Sequence, residues 1–174
     1  SIDADKDGFD STQDCDDGDP AIYPFAGDTY GDGVDGDCDG LDCEAAREGD
    51  VYYALCAAEV SHADAEALCE GAGYTGLAEL RVEDEYTTFL DLQAAGSPDH
   101  HYWIGLVNSG GWIWSSGFPL GYEAWYTGEP SGDGVCGLVW NACDARGPAW
   151  NDLPCERTTE TCASMGAACE YREE

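Results

Sequence analysis

Residues 150–155 read WNDLPC, and residues 127–136, which lead to the preceding cysteine, read TGEPSGDGVC. The second stretch sets Glu129 beside Pro130 in a run of Ser, Gly, Asp and Gly. A chain already rich in acid needs neither residue for solubility. The pair suggests that backbone geometry is being fixed so that oxygen atoms point at something. Working outward, HYWIGLV (101–107), GWIWSSG (111–117), CGLVW (136–140) and AACEYR (167–172) are short, aromatic and β-branched, with Gly-rich turns between them. They read as strands.

The N-terminal side reads differently. VYYALC (51–56) is a short β-like run. SHADAEALCE (61–70) opens on a capping serine and continues with good helix formers. Residues 82–95 form a second helical stretch, with Tyr86, Phe89, Leu90 and Leu92 on its apolar face and acidic residues at 83–85 favouring its start. Two helices followed by short strands indicate an α+β fold.

Charge and cysteines bound the function. The 174 residues carry 37 acidic against 6 basic side chains, a net charge of -31. Nucleic acid and anionic membrane surfaces are excluded as partners, because like charges repel. Divalent cations are favoured, calcium first, since it prefers hard oxygen ligands. Ten cysteines with no CxxC pair indicate a disulfide framework rather than zinc, and hence an oxidising compartment. No apolar run reaches membrane-spanning length. No signal peptide is visible, so a mature or trimmed form is expected. There is no Gly-rich phosphate loop and no GxSxG. Two carboxylates alone would suggest a glycosidase, but they are a weak signal without any of these motifs, so no enzyme is expected.

Composition divides the chain near 42/43. Residues 1–42 hold 14 Asp and few large apolar side chains, too little to fold by burial alone. All six Trp, eight of ten Tyr and eight of ten Cys lie in 43–174. The first region opens with Asp3, Asp5 and Asp7 before Gly8, the D-x-D-x-D-G opening of a calcium loop. QDCDDGD and YGDGVDGDCDGLD follow, adding Asp14, Asp16, Asp32, Asp35, Asp37 and Asp39. The run resembles the Asp-rich metal-binding motif of bacterial surface proteins and is similar to thrombospondin type 3 calcium repeats. The resemblance implies calcium on these aspartates, a Cys15–Cys38 bridge, and a bacterial secreted or cell-surface protein. The alternative is a disordered acidic tail, against which stand the regular spacing and the two cysteines.

Residues 43–174 resemble a C-type lectin-like domain. WIGL (103–106), GWIWSSG with Trp125 downstream, EPS (129–131), WNDLPC and the terminal CEY (169–171) occur in that family's order. The resemblance implies bridges Cys69–Cys169, Cys136–Cys155 and, in the long form, Cys43–Cys56. Cys143 and Cys162 are left as an additional pair. It also implies a cis Pro130 peptide and a calcium held by Glu129, Asn151 and Asp152. Sugar hydroxyls would complete that ion's shell. The expected partner is then a carbohydrate or glycoconjugate.

Three departures bear on that site. Ser131 stands where mannose-type members have Asn and galactose-type members Asp. Gly134 occupies the position of the usual acidic ligand, and Asp133 is its nearest substitute. An exposed aromatic, Trp140 or Trp150, would stack on a sugar ring. Trp150 is core by family position and Trp140 stays open between the two roles. Trp103, Ile104, Leu106, Trp112 and Trp114 are expected in the core. His62 is expected to be exposed, and His100 and His101 to lie on a solvated turn. Asp144 and Arg146 are candidates to touch ligand. Two other functions remain open: a structural or adhesive module that self-assembles or joins a larger extracellular protein, and a binder of ice or mineral surfaces.

Overall fold

In a computed structural model of the chain, residues 2–97, 99–143 and 146–173 are described. The hairpin β1 (Cys43–Glu48) and β2 (Val51–Cys56) sets Cys43 opposite Cys56, and the two are bonded. Helix α1 (His62–Gly71) starts at Ser61, whose hydroxyl accepts the Asp64 N–H at 3.2 Å. Strand β3 (Gly76–Leu77) leads to α2 (Glu83–Ala95), where the Glu85 carboxylate accepts the N–H groups of Arg81 and Val82. These bonds satisfy amides at the helix start that have no partner inside the helix. The remaining strands are β4 (His100–Asn108), β5 (Trp112–Trp114), β6 (Cys136–Val139), β7 (Trp150–Leu153), β8 (Thr159–Glu160) and β9 (Ala163–Arg172).

The sheet runs β1-β2-β9-β4-β6-β7, with β3 and β8 also on β9 and β5 on β4. Only the β4–β9 pairing among these is parallel. Helix α1 lies against β9 and β3, and α2 against β1 and β2. Strand β2 is buried at every residue. Its side chains alternate between two cores, Tyr52, Ala54 and Cys56 in one and Val51, Tyr53 and Leu55 in the other. A strand covered on both faces reads as a continuous apolar run, which VYYALC is. Strand β4 divides likewise, with Trp103 in the first core and Tyr102, Ile104 and Leu106 in the second. Trp114 is also buried, and Trp112 is half-buried against Trp125 at 4.9 Å. The architecture is α+β, as the strand and helix signals predict.

The histidines correct the expectation of exposure. His62 opens α1 where the helix abuts β4, so it is buried, with Nε2 3.1 Å from the Ile104 carbonyl and its ring edge-on to Trp103. His101 lies inside β4 rather than on a turn; it is buried and its Nδ1 accepts the Asn141 N–H. His100 is half-buried, its Nδ1 2.6 Å from the Ser97 hydroxyl.

Five disulfides are present: Cys15–Cys38, Cys43–Cys56, Cys69–Cys169, Cys136–Cys155 and Cys143–Cys162. Residues 2–42 contain no helix or strand and meet the body through an isolated Asp28–Ala45 bridge. There the buried Asp28 carboxylate accepts the N–H groups of Gly36 and Cys43. Phe25 stacks on Tyr171 at 4.3 Å and meets Tyr52 edge-on. No helix among the described residues is long and apolar enough to cross a membrane.

Candidate functional site

The loop between β5 and β6 returns to β7 through one carboxylate. Asp152 is completely buried. Its Oδ1 accepts the Ser131 N–H at 2.8 Å, and its Oδ2 accepts those of Gly132 and Gly134 at 3.0 and 3.2 Å. Ser131 N–H is shared with Glu129 Oε2 at 2.7 Å. A buried charge demands such donors, because each is lost to water on burial. The Glu129–Pro130 peptide is cis. Glu129 is half-buried, while Ser131 and Asp133 are exposed. Gly134 has no room for a side chain, since a Cβ would lie 1.8 Å from the Leu153 carbonyl carbon. The acidic ligand usual at this position is therefore sterically barred. Asn151 is buried beside Asp152, with Oδ1 lacking any hydrogen-bond partner.

This arrangement does not present a ready calcium site. Both oxygens of Asp152 are already engaged by amides, and Glu129, Asp133 and Asp152 do not form a group close enough to share an ion. Serine adds one hydroxyl where calcium takes 6–8 oxygens. What the loop offers is a polar rim of Glu129, Ser131 and Asp133 above a rigid floor.

Trp140 is not the exposed platform that a stacking role requires. It is 2 % exposed, held edge-on by Tyr126 at 5.8 Å and covered by the Arg146 guanidinium 4.2 Å over its ring. Its end of β6 turns inward, where the Gln93 amide donates to its carbonyl. Trp150 is fully buried as well, ringed by Trp114, Trp125, Tyr122 and Tyr86. Arg146 is thus a cover for Trp140. Asp144 lies outside the described residues.

The acidic segment is built differently. Three groups of carboxylates come within 4.8 Å of one another: Asp3, Asp5 and Asp7; Asp5, Asp14 and Asp17; and Asp35, Asp37 and Asp39. Asp16 and Asp32 are exposed and outside these groups. Asp17 was missed by sequence reading, although the Asp16–Asp17 doublet was the available signal.

Two of the groups share one design. Asp3 accepts from Lys6 and Gly8 amides, Asp35 from Asp39 and Gly40 amides, and the third aspartate of each accepts two residues on. Gly8 and Gly40 take positive φ of 110° and 78° to close these turns. Oδ2 of Asp5, Asp7 and Asp14 and Oδ1 of Asp37 are shielded from solvent and unpartnered. Orphaned carboxylate oxygens carry a desolvation cost that a hard cation removes, so these residues fit calcium.

The two designs differ in their surroundings. Loop 3–8 is partly exposed, whereas Asp37 is 3 % exposed against the body formed by residues 43–173. Tyr52 donates to Asp37 Oδ2 at 2.6 Å, and Tyr74 donates to Asp37 Oδ2 at 3.1 Å and to Asp39 Oδ2 at 2.5 Å. Burial pushes the Asp37 carboxyl up to about 7; the Asp39 charge adds to this and the tyrosine hydroxyls oppose it. Asp39 is raised in the same direction, again by burial.

A family model described as the lectin C-type domain matches residues 58–165, more than half of the chain. The chain belongs to the C-type lectin domain family. This lectin domain is 29% identical over 99 residues to lithostathine-1-alpha of Homo sapiens, covering 53% of this chain and 58% of that protein. It therefore spans little more than half of that relative's length. Among solved structures it is similar to the SPL-1–GlcNAc complex, with TM-score 0.62 and 22% identity over 74% of this chain and 94% of that one. It is equally similar to the Ca2+-independent C-type lectin SPL-2 from Saxidomus purpuratus, with TM-score 0.62 and 22% identity over 72% and 89%. Identities this low establish the lectin fold alone. The family is one of binding domains, not enzymes.

Proposed function

We propose that the chain is a carbohydrate-binding module of a secreted or cell-surface protein, with residues 43–174 as the reader and residues 1–42 as a calcium-ordered acidic appendage. The observation carrying the first part is the loop anchored on Asp152. Three amides held by one buried carboxylate anchor the turn that carries Ser131 and Asp133, and Glu129 bonds to the same Ser131 amide. Carboxylate oxygens accept from sugar hydroxyls, and the serine hydroxyl both donates and accepts. Preorganised polar groups of this kind read vicinal hydroxyls at low entropic cost. In this reading Asp152 is a positioning residue for the loop. Similarity to a lectin solved with GlcNAc and to one described as Ca2+-independent supports it. Ten paired cysteines support an oxidising compartment.

A second reading keeps a loop calcium on Glu129, Ser131, Asp133, Asn151 and Asp152. The orphaned Oδ1 of Asn151 favours it. It requires Asp152 to release its amides to an ion.

A glycan array probed with and without chelator separates the two. Binding that survives chelation supports direct recognition, and binding abolished by chelation supports the loop calcium. A blank array in both conditions would overturn both readings and leave the structural or adhesive role.

A further inference from the structure

Of the two similar Asp-x-Asp-x-Asp-Gly loops, the second is bonded to side chains of the lectin body. Oδ2 of Asp37 is bonded by two tyrosine hydroxyls, one from β2 and one from the turn after α1, while Oδ1 has no partner. The same Tyr52 hydroxyl also reaches the Ala26 carbonyl within the acidic segment. Tyr52 and Tyr74 stack at 6.2 Å, and Phe25 meets each of them edge-on. Asp37 thus has one oxygen committed to the body and one buried without a partner, and its carboxylate lies within 4.8 Å of those of Asp35 and Asp39.

We propose that Tyr52 and Tyr74 are outer-shell parts of a divalent-cation site on Asp35, Asp37 and Asp39, and that occupancy of this site clamps the acidic segment onto the lectin body. Three carboxylates converging against an apolar wall repel one another unless a cation sits among them. Phenol hydroxyls donate but bring no opposing charge, so they orient the carboxylates and leave their charge to the ion. Partners bonded to a ligating carboxylate govern affinity nearly as much as the ligand does. With the cation bound, Asp37 stays directed at Tyr52 and Tyr74, and the segment that carries it stays docked. Without it, repulsion drives the loop off the tyrosine pair. Loop 3–8 shares the local turn but has no such wall, so its cation orders only itself.

The inference rests on the calcium reading of the acidic segment. The test is calcium calorimetry on the whole chain, paired with the rate of cleavage of residues 28–42 by an aspartate-specific protease. Tryptophan near-ultraviolet dichroism checks that each variant keeps its lectin core. In the wild type, calcium should bind and slow cleavage. Asp37→Asn should lose one site and the protection. Tyr52→Phe with Tyr74→Phe, which keeps both rings, should weaken one site roughly 10- to 100-fold and lose protection at intermediate calcium. Asp5→Asn should lose bound calcium yet keep residues 28–42 protected. Absence of calcium binding to the wild type would overturn the inference together with the reading beneath it. Calcium binding with full protection in both the Asp37 and the tyrosine variants would overturn the clamp alone.

Discussion

Residues 2–42 and the lectin body answer the same problem, a surplus of negative charge, with different physics. The body buries Trp103, Trp114, Trp150, Tyr53 and Phe89 between its sheet and helices and ties its ends together by Cys69–Cys169, across 100 residues. Three of its buried acids are paired with arginines of the chain, while Asp152 is held by backbone amides. Glu79 is paired with Arg81 at 2.7 Å, and Glu85 and Glu170 with Arg172 at 2.8 and 3.2 Å. The segment has one bridge, Cys15–Cys38, and its carboxylates bond to its own amides. Its three acidic groups include no arginine. The comparison teaches that one acidic chain can contain a region with a large apolar core beside a region with little burial, whose folding is completed by calcium in the reading proposed above.

The largest effect should come from opening the body. Replacing Cys69 and Cys169 together by alanine removes closure of a 100-residue loop. It should cost about 4–5 kcal/mol, read as a fall in chemical-denaturation midpoint, while calcium binding by the segment persists. A loss of calcium binding equal to the loss of stability would erase the distinction between the regions.

Asp152→Ala comes next. It strands three loop amides, at a cost of about 1–3 kcal/mol. Hydrogen exchange at residues 131–134 should accelerate and glycan binding should disappear, with the segment untouched. Retained sugar binding would refute the anchoring role.

The smallest effect is acid sensitivity within the body. Burial lowers the His62 pKa from its ordinary 6.5, although the Ile104 carbonyl and the Glu66 charge oppose this. The native ring holds a proton less readily than the unfolded chain, so stability is lost as pH falls below about 6.5. His62→Gln keeps a donor for the Ile104 carbonyl and should flatten that slope. An unchanged slope would assign it to another group.

Much of the body is legible in sequence because its signals are local. WIGL and WNDLPC place β4 and β7, Ser61 starts α1, and a run of acids starts α2. What was not legible depended on distant neighbours. Trp140 is covered by Tyr126 and Arg146, and His62 is buried by the approach of α1 to β4. Neither follows from the residues beside it. Asp152 has the chemistry of a ligand, but its oxygens are consumed by the backbone course of residues 131–134, which side-chain identity does not report. In the segment, spacing identifies Asp3, Asp5, Asp7, Asp35, Asp37 and Asp39 but not Asp17, while Tyr52 and Tyr74 come from parts of the chain with no acidic motif at all.

Hydrogen exchange of the whole chain, with calcium and then with chelator, tests the contrast most directly. The account predicts that chelation speeds exchange in residues 2–42 by an order of magnitude or more and leaves the lectin strands unchanged. Equal protection in both regions after chelation would contradict it.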